Sequence, residues 1–150
     1  MPAEATPPGP VVVGIDGSEA SLLALRHGIR EADWRGVEIH VVHALDVTPA
    51  VLHLQGDMTI DTRERAESDR AEIWRAVGPI LDDATTKVVR VELDGRPGKN
   101  LTAYAEEVGA SVLVVGPRGR GRMQKLVLGS TAEAAVKAAT CDVLVVKSGE

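Results

Sequence analysis

Glycine and positive charge are concentrated in one segment of the chain, Val115–Thr131 (VGPRGRGRMQKLVLGST). Its glycines and basic residues are Gly116, Gly119, Gly121, Gly129, Arg118, Arg120, Arg122 and Lys125. Glycine lets a backbone approach a ligand closely because no Cβ lies in the way. The segment ends at Gly129, Ser130 and Thr131, where a helical pattern begins, and a helix start attracts anions. The combination predicts a site for a small polyanion such as a phosphate chain.

A purely structural interpretation of the same segment is also open. Ser130–Glu133 has the pattern of a capping box, which stabilises a helix start without any ligand, and basic loops are often only solvated. Two better-known phosphate motifs are missing: Gly98-Lys99 is followed by Asn100 rather than Ser or Thr, and residues 14–17 do not fit G-x-G-x-x-G. A P-loop enzyme and a typical dinucleotide dehydrogenase are therefore both disfavoured.

The elements that must position this segment alternate between strand and helix. Strand-like runs are predicted at Val11–Ile15, Val37–Leu45, Lys87–Leu93, Ser111–Val115 and Val143–Lys147. Helical periods are predicted at Ser18–Arg35, Asp61–Ala84, Asn100–Val108 and Ser130–Ala139, with Asp46–Ile60 as a long connection. Such alternation indicates parallel strands joined by right-handed crossovers. We predict a doubly wound α/β domain with a five-stranded parallel sheet and four helices, whose ligand binds beyond the carboxyl ends of the strands.

Length and composition agree with one such domain. The chain has 150 residues, which fits a single domain at residues 11–150 preceded by a flexible, proline-rich tail at residues 1–10. Aromatic residues are only 2% of the chain, so the core must be built from Val, Leu, Ile and Ala. Trp34 and Trp74 fall on predicted helices, where core or interface positions are expected. The last predicted strand lies at the end of the chain. If it is also an edge of the sheet, it would pair with a second copy of the chain.

Charge and cysteine content exclude several classes of function. The net charge of −5 disfavours binding to nucleic acid or to an anionic membrane. No apolar run reaches the ~18 residues of a membrane span, and the N-terminal residues do not have the pattern of a signal peptide. Cys141 is the single cysteine, which excludes an intramolecular disulfide and fits a reducing compartment. A cytoplasmic protein is expected.

Few other side chains predict chemistry. Asp16 follows the first strand, where it could contact a ligand or simply begin a turn. His40 and His43 are three apart on a strand and so point to opposite faces, which argues against a shared metal. No catalytic arrangement and no metal site are predicted, and nothing marks a water-positioning base beside the glycine-rich segment.

Three segments together resemble the nucleotide-binding branch of the universal stress proteins. Gly116-x₂-Gly119-x₉-Gly129-Ser130 matches the G-x₂-G-x₉-G-[ST] pattern of that family. The run VVVGIDGSEAS is similar to its first strand and turn, and Val37–Leu45 with His43 is similar to its second strand. The resemblance extends from Val11 to Lys147. Pro117 departs from the pattern, since this position is often small and polar, and it lacks a backbone donor.

The resemblance implies a bound adenine nucleotide, usually ATP, and a homodimer formed through the last strand. Carried over by position, Gly14, Asp16 and Ala44 would contact the adenosine, and Val115 and Gly116 would line the ribose and phosphates. The phosphate donors would be Gly119, Gly121, Gly129, Ser130 and Thr131. A Mg²⁺ ion could accompany the phosphates.

The predicted function is therefore an ATP-binding stress-response protein with little or no hydrolysis. One alternative is a slow ATPase or phosphotransferase that uses the same loop. Another is a nucleotide-free interaction module whose contact surface is residues 46–60. AMP or cyclic AMP would use the same adenosine contacts as ATP and fewer phosphate contacts.

Overall fold

Nine elements alternate along residues 6–45, 58–118 and 128–148, the part of the chain that the computed structural model describes. The strands are β1 (Val11–Ile15), β2 (Ile39–Leu45), β3 (Val88–Asp94), β4 (Val112–Val115) and β5 (Asp142–Val145). The helices are α1 (Glu19–Arg35), α2 (Met58–Leu81), α3 (Pro97–Glu107) and α4 (Ser130–Ala138). All nine lie where the sequence predicts them, with their ends shifted by at most three residues.

The strands form one parallel sheet in the order β3-β2-β1-β4-β5. This confirms the predicted doubly wound α/β class. From β1 the chain moves outward through β2 and β3, then returns to place β4 on the other side of β1. The direction of winding therefore reverses between β1 and β4, and a crevice forms there at the carboxyl ends of the strands. β5 occupies an outer edge of the sheet.

Burial of β1 on both faces explains why its sequence is an unbroken apolar run. Val11, Val12 and Val13 are fully buried. Val11 and Val13 belong to the core under α1 and α2, whereas Val12 belongs to the core on the opposite face with residues of α3 and α4. Successive side chains of a strand point to opposite faces, so this one short strand packs against helices on both faces of the sheet.

Local signals set the ends of α1. The Ser18 hydroxyl accepts a hydrogen bond from the Ser21 backbone N–H at 3.1 Å, which caps the first turn. The helix ends at Gly36, whose φ of 67° is a left-handed conformation suited to glycine.

The prediction placed the starts of two other helices wrongly. α3 begins at Pro97 rather than Asn100, because proline fits the first helical position, where its missing N–H has no partner to lose. α2 begins at Met58 rather than Asp61, so Met58–Ile60 is helical and not part of the predicted connection, and α2 ends at Leu81 with Pro79 inside it. The remainder of that connection, residues 46–57, lies outside the described residues.

The two β2 histidines point to opposite faces, as predicted. His40 lies 2.7 Å from the Tyr104 hydroxyl of α3, whereas His43 lies 3.0 Å from the Glu92 carboxylate, which also accepts from the Trp74 indole of α2. Both imidazoles are buried and hydrogen-bonded, so each is a satisfied polar group within the helical layers.

The other tryptophan is not a core residue. Trp34, near the end of α1, is 82% exposed. The sequence predicted a core or an interface position for Trp34, and this exposure excludes the core.

Helices of the described residues lack the combination of length and apolar character that a membrane span needs. Residues 6–10 have no regular secondary structure, and the Pro10 carbonyl accepts a hydrogen bond from the Ser111 backbone at 2.9 Å. The domain boundary at residue 10 remains a prediction.

Gly28 tests how closely α1 packs on the sheet. A Cβ at this position would lie 2.3 Å from the Val13 Cγ2 atom, and Val13 is a short, fully buried side chain that cannot move aside. Gly28→Ala should lower the free energy of unfolding by about 1–3 kcal/mol, although alanine is the better helix former by about 1 kcal/mol. Urea unfolding measures this, with the exposed Glu72→Ala as a control near zero. A gain in stability at Gly28 would contradict the packing.

Candidate functional site

A cleft opens where the winding of the sheet reverses, at the carboxyl ends of β1, β2 and β4. It contains about 620 Å³ of space between its lining atoms, open solvent included. Residues after β1 and β4 form its floor, and the first turns of α3 and α4 form two walls. It therefore lies where a doubly wound fold is expected to hold a ligand.

Eight of the ten residues singled out from the sequence line this cleft. They are Gly14, Asp16, Ala44, Val115, Gly116, Gly129, Ser130 and Thr131. The other two, Gly119 and Gly121, lie outside the described residues. Segments separated by more than a hundred positions in sequence thus contribute to one surface.

The turn after β1 holds Asp16 in a fixed orientation. One carboxylate oxygen of Asp16 (Oδ1) accepts from the Ser18 backbone N–H at 2.9 Å. The Asp16 N–H donates to the Ser21 hydroxyl at 3.2 Å, and that hydroxyl donates to the Ser18 carbonyl at 2.9 Å. Among the described residues, the second oxygen (Oδ2) of Asp16 has no hydrogen-bond partner. Asp16 therefore both builds the turn and keeps an acceptor for the cleft.

Sequence reasoning missed Ser21, which is buried and lines the cleft. A signal for it exists: Ser21 is a hydroxyl residue on the face of α1 that otherwise carries apolar side chains such as Ala24 and Leu25. A polar residue at such a position must have hydrogen-bond partners when it is buried, and the preceding turn is the nearest source of them.

An apolar wall lines one part of the cleft, and the sequence analysis identified only some of it. Its side chains are Val42, Ala44, Pro97, Leu101 and Val115. Gly14 is needed for this wall, because a Cβ there would lie 2.6 Å from the Leu101 Cδ2 atom. Pro97 was missed because the start of α3 was placed three residues late, whereas Val42 and Leu101 were assigned only to the apolar faces of a strand and a helix.

The start of α4 is not the predicted capping box. Gly129 is the N-cap and Ser130 the first helical residue, and within the described residues no side chain caps the helix. The Gly129 N–H donates to the Pro117 carbonyl at 2.6 Å. Glu133 does not reach back to the helix start but pairs with Lys137 at 2.7 Å, and this hydrogen bond lowers the pKa of Glu133.

The first turn of α4 therefore presents backbone rather than side-chain groups to the cleft. Ser130, Thr131 and Ala132 all line it, and N–H groups at such positions have no partner within the helix itself. Arg118, half-buried, lines the same cleft and adds a positive charge. This end of the site is suited to an anion.

General acid–base chemistry has little support among the described lining residues. Asp16 is the only carboxylate among them, no histidine lines the cleft, and the buried His43 pairs with Glu92 instead. Cys141 is elsewhere in the fold, and burial raises the pKa of its thiol. Within residues 6–45, 58–118 and 128–148 there is also no group of three His, Cys, Asp or Glu side chains that could hold a metal.

Comparison with known sequences finds one family over most of the chain. The profile of the universal stress protein family matches residues 9–147. A universal stress protein of Methanocaldococcus jannaschii is 31% identical over 138 residues, covering 91% of this chain and 81% of the relative. Another from Mycobacterium tuberculosis is 36% identical over 138 residues, covering 92% of this chain but 45% of the relative. The chain thus spans about half the length of that second protein.

Solved structures show the same fold. The universal stress protein UspA from Lactobacillus plantarum superposes with a TM-score of 0.78 at 18% identity, covering 94% of this chain and 99% of that one. A universal stress protein crystallised in complex with cAMP gives a TM-score of 0.62 at 25% identity, covering 95% and 98% of the two chains. The first similarity concerns the fold alone; the second also includes a chain with a bound nucleotide.

Substitutions in the β1–α1 turn should distinguish how much the Ser18 cap and the buried Ser21 hydroxyl each contribute to stability. Ser18→Ala removes the cap of α1 and should lower the free energy of unfolding by about 1 kcal/mol, whereas Ser18→Gly should cost only a few tenths. Ser21→Ala should cost about 1–3 kcal/mol because it leaves the Asp16 N–H unpaired. Thermal and urea unfolding measure both. Equal effects of Ser18→Ala and Ser18→Gly would contradict the capping role.

Proposed function

The chain belongs to the universal stress protein family, and we propose that its cleft binds an adenine nucleotide, with ATP as the ligand. The observation that carries the proposal is the gathering of eight motif residues around one cleft at the reversal point of the sheet. A family member 25% identical to this chain was crystallised with cAMP, which supports an adenine nucleotide in particular. The biological role is then that of a nucleotide-dependent regulatory protein of the stress response.

The phosphates would lie at the start of α4. Backbone N–H groups at Ser130 and Thr131, the Ser130 hydroxyl and the Arg118 guanidinium are the donors that the described part of the cleft offers there. Gly119 and Gly121 are proposed as further backbone donors on the basis of the motif. Because α4 has no side-chain cap, a phosphate would not have to displace one.

The adenosine would lie toward β2. The apolar wall with Val42, Pro97 and Leu101 offers a surface for a flat base, and the Ala44 backbone lies beside it. Asp16, in the turn after β1, would accept from a hydroxyl or amino group through Oδ2. β2 and β4 are separated by β1, so the two ends of the site are about 10 Å apart, twice the ~4.8 Å spacing of strands. A nucleotide has that length.

We favour nucleotide binding without efficient hydrolysis. Hydrolysis needs a group that positions or deprotonates water beside the phosphates, and Asp16, the one carboxylate of the described lining, is already bonded to the Ser18 N–H. An accompanying Mg²⁺ would be held mainly by phosphate oxygens and water. A slow ATPase or phosphotransferase remains the alternative, and steady phosphate release would favour it.

The open edge of β5 is the proposed contact between two copies of the chain. β5 is paired on one side only, with β4, and an unpaired edge offers free backbone donors and acceptors. A cytoplasmic location belongs to the same proposal, supported by the free Cys141. The net charge of −5 argues against nucleic acid as a partner.

Identification of a co-purifying ligand tests the nucleotide site directly. Mass spectrometry of ligand released from the wild type should detect ATP, and Gly129→Lys should carry none because its side chain enters the phosphate end of the cleft. Ala138→Lys, which adds the same side chain at the exposed far end of α4, should retain it. Detection of AMP or cAMP in place of ATP would still support an adenine site but would identify a different ligand. An empty wild type with no thermal shift in millimolar ATP would refute the nucleotide proposal.

The free oxygen of Asp16 can be tested without removing the turn that Asp16 builds. Asp16→Asn keeps an oxygen that can accept from the Ser18 N–H but turns the other acceptor into a donor. The Kd for ATP, measured by calorimetry, should rise roughly tenfold or more, the value of a hydrogen bond to a charged group. Ser18→Ala is the control, since it should lower stability and leave the Kd unchanged. An unchanged Kd in Asp16→Asn would show that Asp16 does not contact the ligand.

The edge contact predicts a dimer that proline disrupts. The Val146 N–H donates to Val115 of β4, and alternate residues of a strand face alternate sides, so the Val143 N–H faces the open edge. Val143→Pro removes that donor and should abolish pairing through β5, whereas Lys147→Ala, beyond the strand, should not. Sedimentation velocity measures the mass, and circular dichroism checks the fold. Unchanged association in a folded Val143→Pro variant would exclude the edge contact.

A further inference from the structure

A chain of polar side chains connects the start of β2 to α3, on the face of the sheet that carries the cleft. The buried His40 imidazole is at its centre. Its Nδ1 atom lies 2.7 Å from the Tyr104 hydroxyl of α3, and its Nε2 atom lies 2.8 Å from the Glu38 carboxylate. The other Glu38 oxygen lies 3.6 Å from the Lys87 ammonium. The nucleotide contacts proposed above use none of these four side chains.

The charge of Glu38 decides the direction of each hydrogen bond. The hydrogen bond from His40 lowers the pKa of Glu38, so this carboxylate is ionised at neutral pH and can only accept. In the neutral imidazole, Nε2 therefore carries the proton, and Nδ1 is left to accept from Tyr104. Burial raises the pKa of Tyr104, which keeps its hydroxyl protonated. Both side chains are thus satisfied in one defined arrangement.

The His40–Tyr104 bond lies one layer below the apolar wall of the cleft. Alternate residues of a strand share a face, so His40 lies on the same face of β2 as Val42 and Ala44, which line the cleft. Residues three apart are neighbours on a helix, so Tyr104 lies one turn along α3 from Leu101, which also lines the cleft. The bond and the wall are therefore successive layers of one contact between α3 and the sheet.

Hydrogen bonds at two points along α3 fix its position on the sheet. The fully buried side chains of α3 are Leu101 and Ala105, and apolar contacts of this kind are not directional. Within the described residues, two α3 side chains bond to residues of the sheet: Asn100 donates to the Asp94 carbonyl at 2.6 Å, and Tyr104, one turn later, bonds to His40. Without the second bond, the helix would be fixed only near its start.

The position of α3 sets the shape of the adenosine end of the cleft, because Leu101 reaches across to β1. A Cβ at Gly14 would lie 2.6 Å from the Leu101 Cδ2 atom, so this side chain lies against the strand backbone that forms the floor. We propose that His40 and Tyr104 are positioning residues that hold Leu101 where the adenosine end of the cleft can bind its ligand. This role rests on the nucleotide site proposed above and extends it to a bond that the ligand does not touch.

The size of the effect on affinity has an upper limit. When a protein takes several conformations and one of them binds, the measured Kd rises as the fraction of that conformation falls. One hydrogen bond between neutral groups changes such a fraction by about tenfold at most. Loss of the Tyr104 hydroxyl should therefore raise the Kd for ATP roughly three- to tenfold. The Kd for AMP should rise by the same factor, since both ligands contain adenosine.

Three variants of the full chain test the proposal, with Kd measured by calorimetry for ATP and AMP and stability measured by urea unfolding. Tyr104→Phe keeps the ring but leaves His40 Nδ1 buried without a donor, so it should lower both stability and affinity. His40→Leu combined with Tyr104→Phe replaces both partners by apolar groups. This double variant should recover much of the stability, with Glu38 still paired to Lys87, while the Kd stays raised.

Thr102→Val is the matched control, because it removes an α3 hydroxyl that bonds to the Gly98 and Lys99 carbonyls of its own helix. Its Kd should equal that of the wild type. An equal rise in Kd for Thr102→Val would overturn the positioning role of His40 and Tyr104.

Comparison of stability with affinity distinguishes positioning from ordinary packing. A double variant with recovered stability and a raised Kd supports the positioning role. A Kd that recovers together with stability, or an unchanged Kd in a folded Tyr104→Phe variant, overturns that role and leaves the nucleotide site standing. A wild type that binds neither ATP nor AMP refutes the nucleotide site and the positioning role together.

Discussion

Complete burial of one short strand is the constraint on which the rest of this structure depends. β1 is covered on both faces, so it cannot tolerate a polar side chain along Val11–Val13 and must be flanked by strands on both sides. Because β1 has a neighbouring strand on each side, the chain must return across the sheet between β3 and β4. The crevice at the ends of β1 and β4 follows from that return, since the connections leaving these two strands diverge to opposite faces. The cleft thus follows from the way the strands are arranged around β1.

Within the crevice, backbone geometry rather than side-chain chemistry defines the site. The β1–α1 turn is fixed by four hydrogen bonds among Asp16, Ser18 and Ser21, and Gly14 makes room for Leu101. The start of α4 is held by the bond from Gly129 to Pro117. Pro117 cannot donate a hydrogen bond, but its carbonyl accepts this one. The described part of the site is therefore built mainly from backbone groups and small or apolar side chains.

The sequence was sufficient for the fold because each element carries its own local signal. Alternation of apolar runs with helical periods predicted all nine elements, and the family resemblance over three segments located eight positions of the cleft. The errors came from residues whose role depends on tertiary context. Pro97 extends α3 backwards into the cleft wall, and Ser130–Glu133 has a capping-box sequence whose Glu133 bonds forward to Lys137 instead. Burial of Ser21 and exposure of Trp34 likewise depend on which face of α1 meets the sheet, which periodicity alone gives only approximately.

The uncapped start of α4 has a consequence for the lifetime of the protein. A helix whose first N–H groups lack a side-chain partner is less stable than a capped one, and any anion that occupies them supplies the missing cap. Ligand bound only by the folded state adds stability according to its free concentration. α4 leads directly into β5, so these two elements would unfold, and be exposed to proteases, more readily as such a ligand is depleted. With the nucleotide proposed above as that ligand, the abundance of the protein would follow the nucleotide supply through proteolysis alone.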